Sequence, residues 1–289
     1  MAIYDYIPKW NEVLKKEQFK GFPKEGITFF ESNDFLKIAV FDTETTGLNV
    51  DPDKYNENNQ YRSEVIELAY RVIHVDKDTF KVAYIGEERD FLQEPKEKLS
   101  QKIIELTSLT DDQLKGQKID WKKVQSEFDE CDFCLAHNIN FDKNAVFFNL
   151  KLPKTLCSLY DYKWRENGFY NSTQEVLGLE LGFWYRAHRA ISDVDALIKI
   201  LDGFEVLQVI IKNADKKVIR VYGWGGYKFK DYLKLEKEFR FKKENGKSFW
   251  EKEVFKEEVK LLQKEINDKF LELRESDDKE VGISILDRE

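Results

Sequence analysis

Cysteine is scarce in this chain. Cys131, Cys134 and Cys157 are the whole complement, an odd and small set that argues against a disulfide scaffold and for a reducing compartment. Cys131-x-x-Cys134 with His137 lacks the second ligand pair that a zinc site requires, so buried free thiols beside a strand are expected instead. No apolar run approaches the ~20 residues of a membrane span, and no membrane partner is expected. The start, MAIYDYIPKW, has neither the basic nor the apolar region of a secretory signal, so the expected location is cytoplasmic. What is present is the make-up of a globular protein. The 289 residues are 42% hydrophobic and 35% charged, enough for one sizeable core and a small second domain.

The formal charge of −8 is unevenly spread. Residues 1–211 carry 27 basic and 37 acidic side chains, residues 212–260 carry 15 and 9, and residues 261–289 carry 5 and 9. The basic middle segment is a footprint suited to a polyanion.

Residues 1–34 read as an N-terminal extension, with a short helix from Ile7 to Phe19 and a loop through Gly21, Pro23 and Gly26. Phe35 to Glu44 is a short apolar run ending in carboxylates, as expected of a buried central strand. A polar, turn-rich loop follows. Glu64–Val75 and Lys81–Phe91 then complete a three-stranded antiparallel meander. Helical texture runs from Leu99 to Phe128, broken around Leu109 to Lys118. Asp132–Ala136 is a strand, Asn140 caps a helix through Leu150, Leu156–Leu159 is a further strand, and Ser172–Leu179 is a helix. Ser192 caps a helix over Asp193–Phe204, whose stripe is Ala196, Leu197, Ile200 and Leu201. Strands followed by alternating helices and strands indicate an α/β layer fold with a mixed sheet. Residues 35–212 form this domain, and 213–275 form a small α+β module. The module holds a strand from Val218 to Trp224, a helix from Phe229 to Lys237, a turn at Asn245-Gly246 between two aromatic strands, and an amphipathic helix from Lys256 to Arg274. Residues 276–289 are read as a partly disordered tail.

Three acidic blocks stand in fixed order: FDTETTGL at 41–48, AHNINFD at 136–142 and HRAISD at 188–193. Phosphodiester cleavage needs a nucleophile made from water, charge stabilisation at phosphorus and protection of the leaving oxygen. Two divalent ions about 3.5–4 Å apart supply all three. Hard ions such as Mg²⁺ or Mn²⁺ take oxygen ligands, hence carboxylates. Asp42 and Glu44, at i and i+2 on one strand, project from one face. Asp142 and Asp193 are expected to reach that face from two helices packed against it. Four converging anions repel strongly unless cations separate them. Each block has a blander reading when taken alone: turn chemistry, a helix-dipole partner, a surface histidine. The combination in order is specific. Asp195 lies roughly 200° round its helix from Asp193 and should point away. Asp51 and Asp53 flank Pro52 as turn formers.

The blocks resemble the motifs of the DEDDh 3′–5′ exonucleases, the DnaQ-like family of the bacterial proofreading subunit, RNase T and oligoribonuclease, over roughly residues 35–205. The resemblance implies an RNase H-like fold and two Mg²⁺ or Mn²⁺ ions held by Asp42, Glu44, Asp142 and Asp193, with Glu44 also near the attacking water. His188 would be the general base, and an ordinary histidine titrates near pH ~6.5, suited to that task. Main-chain amides around Thr43 to Thr45 would meet the terminal 3′-hydroxyl. Thr46, Gly47 and Leu48 would shape the terminal-nucleotide pocket. Asn138 would contact substrate, and His137 would be structural. The expected activity is release of nucleoside 5′-monophosphates from single-stranded 3′ ends, with DNA favoured. The alternatives are an exoribonuclease or short-oligonucleotide hydrolase, or a nucleic-acid-binding module.

Residues 216–250 interleave lysines and arginines with Tyr222, Trp224, Tyr227, Phe229, Tyr232, Phe239, Phe241 and Trp250. Bases stack on aromatic faces while cations track phosphates, so this composition suits single strands. A small domain burying its aromatics as core accounts for it equally well. The tail also stands as a docking module for a replication or repair partner.

Overall fold

Eleven residues, Phe35–Thr45, form the central strand of the larger sheet, with Ile38, Ala39, Val40 and Phe41 fully buried. A strand paired on both sides must be apolar on both faces, which explains the continuous run where an edge strand would alternate. The computed structural model describes residues 17–24, 35–52, 62–214, 216–222, 227–244, 246–255, 258–273 and 282–287. The chain divides into two units, Met1–Ile210 and Ile211–Glu289.

In the first unit the strands are β1 (Glu17–Gln18), β2 (Phe35–Thr45), β3 (Val65–Asp76), β4 (Val82–Ile85), β5 (Arg89–Leu92), β6 (Phe133–Ala136), β7 (Lys154–Cys157) and β8 (Phe183–Trp184). The main sheet runs β4-β3-β2-β6-β7, and β5 also pairs with β3. Strands β2 and β3 are antiparallel, whereas β6 and β7 run parallel to their neighbours. The helices are α1 (Gln101–Thr107), α2 (Asp111–Leu114), α3 (Trp121–Phe128), α4 (Ile139–Val146), α5 (Gln174–Glu180), α6 (Ala190–Gly203) and α7 (Leu207–Ala214). This is the mixed α/β sheet flanked by helices that the sequence implies.

Several boundaries differ from expectation. Lys81–Phe91 is two short strands because Gly86 interrupts it. Its N–H donates to Val72 O at 2.9 Å, and a Cβ there would lie 2.7 Å from that same oxygen. The stretch Asp111–Leu114 is a helical turn closed by a Thr110–Gln113 capping box. Asn138, not Asn140, holds the N-cap position of α4. Helix α6 begins at Ala190, so Ser192 lies inside it. Glu17–Gln18 is a strand parallel to Phe183–Trp184, in place of the expected end of an Ile7–Phe19 helix; positions 7–16 lie outside the described residues.

The two faces of the sheet carry different chemistry. Phe41 and Tyr70 meet Phe128 edge-on at 5.7 and 5.0 Å, in a cluster with Ala39, Leu68, Val124, Cys134, Ile139, Ala145 and Val146. Truncating a ring such as Phe41 there would cost about 3–5 kcal/mol. The opposite face presents Asp42 and Glu44 beside Ala69 and Glu67, and α6 packs against β2 and β3.

In the second unit the sheet order is β10 (Arg240–Glu244), β11 (Lys247–Val254), β9 (Lys217–Tyr222) and β12 (Gly282–Asp287). Helix α8 (Tyr227–Asp231) continues into a wider π turn (Tyr232–Glu236), and α9 spans Val259–Leu273. Ile219, Val221, Phe229, Tyr232, Leu233, Phe239, Ile266 and Phe270 share one core. The expected tail at 276–289 is corrected in its described part, because Gly282–Asp287 pairs antiparallel with β9 along its whole length. Among the interleaved aromatics, Phe229, Tyr232 and Phe239 are core, while Phe241 is 59% exposed. Trp224 lies outside the described residues. Core packing therefore accounts for much of the aromatic content that composition alone left open.

Candidate active site

The period of a strand puts Asp42 and Glu44 on one face, and α6 brings Asp193 to it from its first turn. One carboxylate oxygen from each of Asp42, Glu44 and Asp193 lies within 4.8 Å of the others. Burial, reinforced by Asp142, Asp193 and Glu44, holds the Asp42 carboxyl well above the usual carboxylate range. Burial and the neighbouring acids push Glu44 up to about 8. Burial likewise pushes Asp193 up to about 7, although hydrogen bonds from Tyr185 and His188 oppose it. Partly desolvated acids held this close favour any species that brings positive charge. An all-oxygen, anionic donor set suits a hard divalent ion.

Asp142 arrives differently from the expectation. Its helix α4 packs with Ala39 and Phe41, on the face opposite Asp42 and Glu44. Asp142 Oδ1 accepts the Thr43 N–H at 3.0 Å and the Thr43 hydroxyl at 2.8 Å. The side chain thus stands outside the closest group of three, near enough to raise Asp42 by charge repulsion. Burial pushes Asp142 itself to about 7 against the Thr43 hydrogen bonds. The amide of Thr43, one of those expected to meet a 3′-hydroxyl, is committed to this carboxylate.

Asp193 is held at both oxygens. Oδ1 accepts the Tyr185 hydroxyl at 2.9 Å, and Oδ2 accepts the N–H groups of His188 at 2.8 Å and Arg189 at 3.2 Å. Gln174 Nε2 in turn donates to the Tyr185 hydroxyl and to the Asp193 carbonyl. His188 stands two residues before α6 with φ +66°, its side chain exposed. Its main chain is therefore fixed by a proposed metal ligand while its imidazole faces solvent.

Sequence reasoning missed Glu67. It is fully buried, lies across from Glu44, and takes Arg189 Nη2 at 2.7 Å and Nε at 2.9 Å on Oε1. Its Oε2 accepts the Ala190 N–H at 3.1 Å. Glu67 and Asp193 therefore satisfy donors at the start of α6, the task assigned from sequence to Ser192. The available signal was a lone glutamate inside the otherwise apolar VIELAY.

Thr43 and Thr45 are buried, and the Thr45 hydroxyl donates to Gly47 O at 2.5 Å. The Thr46 N–H donates to Glu64 O, and its hydroxyl accepts the Glu64 N–H. The turn thus formed leaves Leu48 86% exposed. Asn138 is exposed at the start of α4. His137 is structural in geometry: Nε2 donates to Ser172 O at 2.7 Å, Nδ1 lies 2.8 Å from the Ser158 hydroxyl, and burial lowers its pKa. Cys131 and Cys134 are free thiols donating to Glu127 O and Pro153 O, and burial raises both. Asp195 stands apart from the clustered acids: it is buried, pairs with Arg71 at 2.6 Å and accepts the Phe22 N–H at 2.9 Å. Asp51 is half-buried in the loop, and Asp53 lies outside the described residues. No helix among the described residues is long and apolar enough to cross a membrane.

Known proteins share parts of this chain. The DNA polymerase III PolC-type of Staphylococcus aureus (strain bovine RF122 / ET3-1) is 30% identical over 202 residues, covering 62% of this chain and 12% of that protein. The chain thus spans only a small part of the curated relatives it matches. Escherichia coli Exonuclease I, solved in complex with a dA16 oligonucleotide, is 16% identical with a TM-score of 0.45, over 64% of this chain and 48% of that one. A full-length 3′-exonuclease is 18% identical with a TM-score of 0.43, over 63% of each chain. The exonuclease model of the RNase T family matches residues 39–201, a span holding all three acidic blocks. With more than half of its length matched and a mixed sheet beneath the blocks, the chain belongs to this family of DnaQ-like exonucleases.

Proposed function

We propose that the protein is a divalent-metal-dependent 3′–5′ exonuclease that releases nucleoside 5′-monophosphates from the 3′ ends of single-stranded nucleic acid, DNA in preference to RNA. The observation that carries this reading is the approach of Asp42, Glu44 and Asp193 within 4.8 Å, from two blocks about 150 residues apart, with His188 two residues before the helix that carries Asp193. Those three, with Asp142 beside them, would hold two Mg²⁺ or Mn²⁺ ions. When bound, such ions stabilise charge on the phosphate oxygens and lower the pKa of the attacking water.

The remaining work falls to side chains. An imidazole nitrogen of His188 takes the proton from the attacking water, and Glu44 orients that water. Tyr185 and the two amides of the His188–Arg189 segment keep Asp193 in place. Thr46, Gly47 and exposed Leu48 shape the pocket for the last nucleotide, Thr43 and Thr45 lie beneath it, and Asn138 contacts the strand. The enzyme would act in the cytoplasm beside replication or repair proteins, to which the second unit would dock.

The test uses 5′-labelled DNA and RNA oligonucleotides of one sequence, with free and blocked 3′ ends, with and without chelator. Stepwise shortening from the free 3′ end, lost with chelator and faster on DNA, is expected. Internal cuts, or shortening that ignores the block, would overturn the reading. A faster ladder on RNA would make the protein an exoribonuclease.

A further inference from the structure

We propose that Phe147 and Phe148, together with Arg62, form a ledge on which the bases of a single strand stack two nucleotides or so upstream of the scissile bond; this rests on the exonuclease reading above. The two phenylalanines follow α4 directly, the helix whose first turn carries Asp142. They are 52% and 59% exposed, and their rings meet edge to face at 5.0 Å. Two adjacent aromatic rings left open to water mark a contact surface more often than a lone exposed leucine does.

The ledge is fixed in place. Arg62 donates to the carbonyls of Asn144 and Ala145, in the last turn of α4, and its guanidinium stands 4.7 Å from the Phe148 ring centroid. Arg62 therefore ties down the helix end and sets a positive charge against the ring. The next residue, Ser63, donates its N–H to Asn49 O at 2.9 Å and accepts the Asn49 N–H at 3.1 Å. Leu48 precedes Asn49 in the turn that follows Glu44. An unbroken series of contacts thus leads from the carboxylate strand, through the Leu48 turn and Arg62, to Phe148 and Phe147.

The occupant follows from chemistry and spacing. Five residues separate Asp142 from Phe147, about 7.5 Å along a helix axis. Stacked nucleotides rise ~3.4 Å each, so the rings lie about two stacked bases beyond Asp142. Every base has a π face, so aromatic rings beside a cation hold a single strand with little sequence preference. A duplex hides those faces, which commits the ledge to unpaired nucleic acid.

The experiment compares wild type with the Phe147→Ala/Phe148→Ala double variant on a 5′-phosphorylated thymidine dinucleotide and on an oligothymidylate of about 20 nucleotides, in Mg²⁺. Loss of stacking should raise KM on the long strand about 5- to 100-fold, with kcat on it, and both constants on the dinucleotide, unchanged. Phe148→Trp, which keeps a π face, should retain the wild-type KM. An unchanged KM on the long strand, or an equal rise on the dinucleotide, would overturn the ledge. If wild type cleaves neither substrate, the exonuclease reading itself fails and takes the ledge with it.

Discussion

Glu67 faces Glu44 across the β2–β3 pair and accepts two hydrogen bonds from the Arg189 guanidinium on one oxygen, at 2.7 and 2.9 Å. It is the fixed point from which the His188 segment is hung. A fully buried acid beside the clustered carboxylates adds to their repulsion, and Arg189 offsets that charge. The arrangement places His188, the proposed general base, next in sequence to an anchored arginine.

Glu67→Ala removes the anchor and strands Arg189 and the Ala190 amide. Breaking such a pair should cost about 2–3 kcal/mol, at the lower end of buried pairs because Arg189 is 30% exposed. Urea unfolding of wild type and variant measures it. Turnover should fall as well, because the His188 main chain loses one of its supports.

The pH dependence of the metal-free protein has a definite sign. Free carboxyls ionise near pH ~4, whereas Glu44 is pushed up to about 8, and Asp142 and Asp193 to about 7. Between those limits the folded state binds more protons than the unfolded chain, so stability falls as pH rises through that window and levels off above it. In chelator the melting temperature should be lower at pH 8 than at pH 5. Excess Mg²⁺ should restore it most at pH 8, where the ligands have lost their protons. A chelated protein that melts higher at pH 8 would contradict the burial and repulsion described.

His188→Ala should lower turnover on the order of 10²–10⁴-fold without altering the melt, since the side chain is exposed. Turnover equal to wild type across a pH series would remove His188 as the base.

Asp195→Ala leaves the Arg71 guanidinium, itself fully buried, with the more distant Glu88 carboxylate, at 3.6 Å, in place of its closest acid. Removing one partner of such a pair costs about 3–5 kcal/mol. The same change releases the Phe22 amide, and with it the segment whose carbonyls at Phe22 and Pro23 accept from Arg71. Denaturant melts should show the loss. A variant as stable as wild type would mean that the pair contributes nothing net.

What the sequence disclosed, and what it hid, follows physical lines. The i, i+2 spacing of Asp42 and Glu44 is legible because a strand has period two. The burial of Ile38–Phe41 is legible because the middle of a doubly paired strand must be apolar on both faces. The face covered by α4 is not legible, since its stripe of Ile139, Ala145 and Val146 does not say which side of the sheet it meets; hence Asp142 reaches Thr43 by a route not foreseen. Glu67 and Arg71 escaped notice because their partners, Arg189 and Asp195, lie more than 120 positions away. Strand Gly282–Asp287 follows a run of charges whose composition suggests a tail, and pairing with Lys217–Tyr222 overrides it.

The most direct test of the shared carboxylate centre is hydrolysis of a 5′-labelled single strand in saturating Mg²⁺ by wild type, Asp42→Asn and Asp193→Asn, each checked for folding by its melt. The account predicts a 3′-end ladder from wild type and intact strand from both variants, with Asp42→Asn melting no lower than wild type in chelator because a repelling charge is gone. A ladder of near wild-type rate from either folded variant would contradict it.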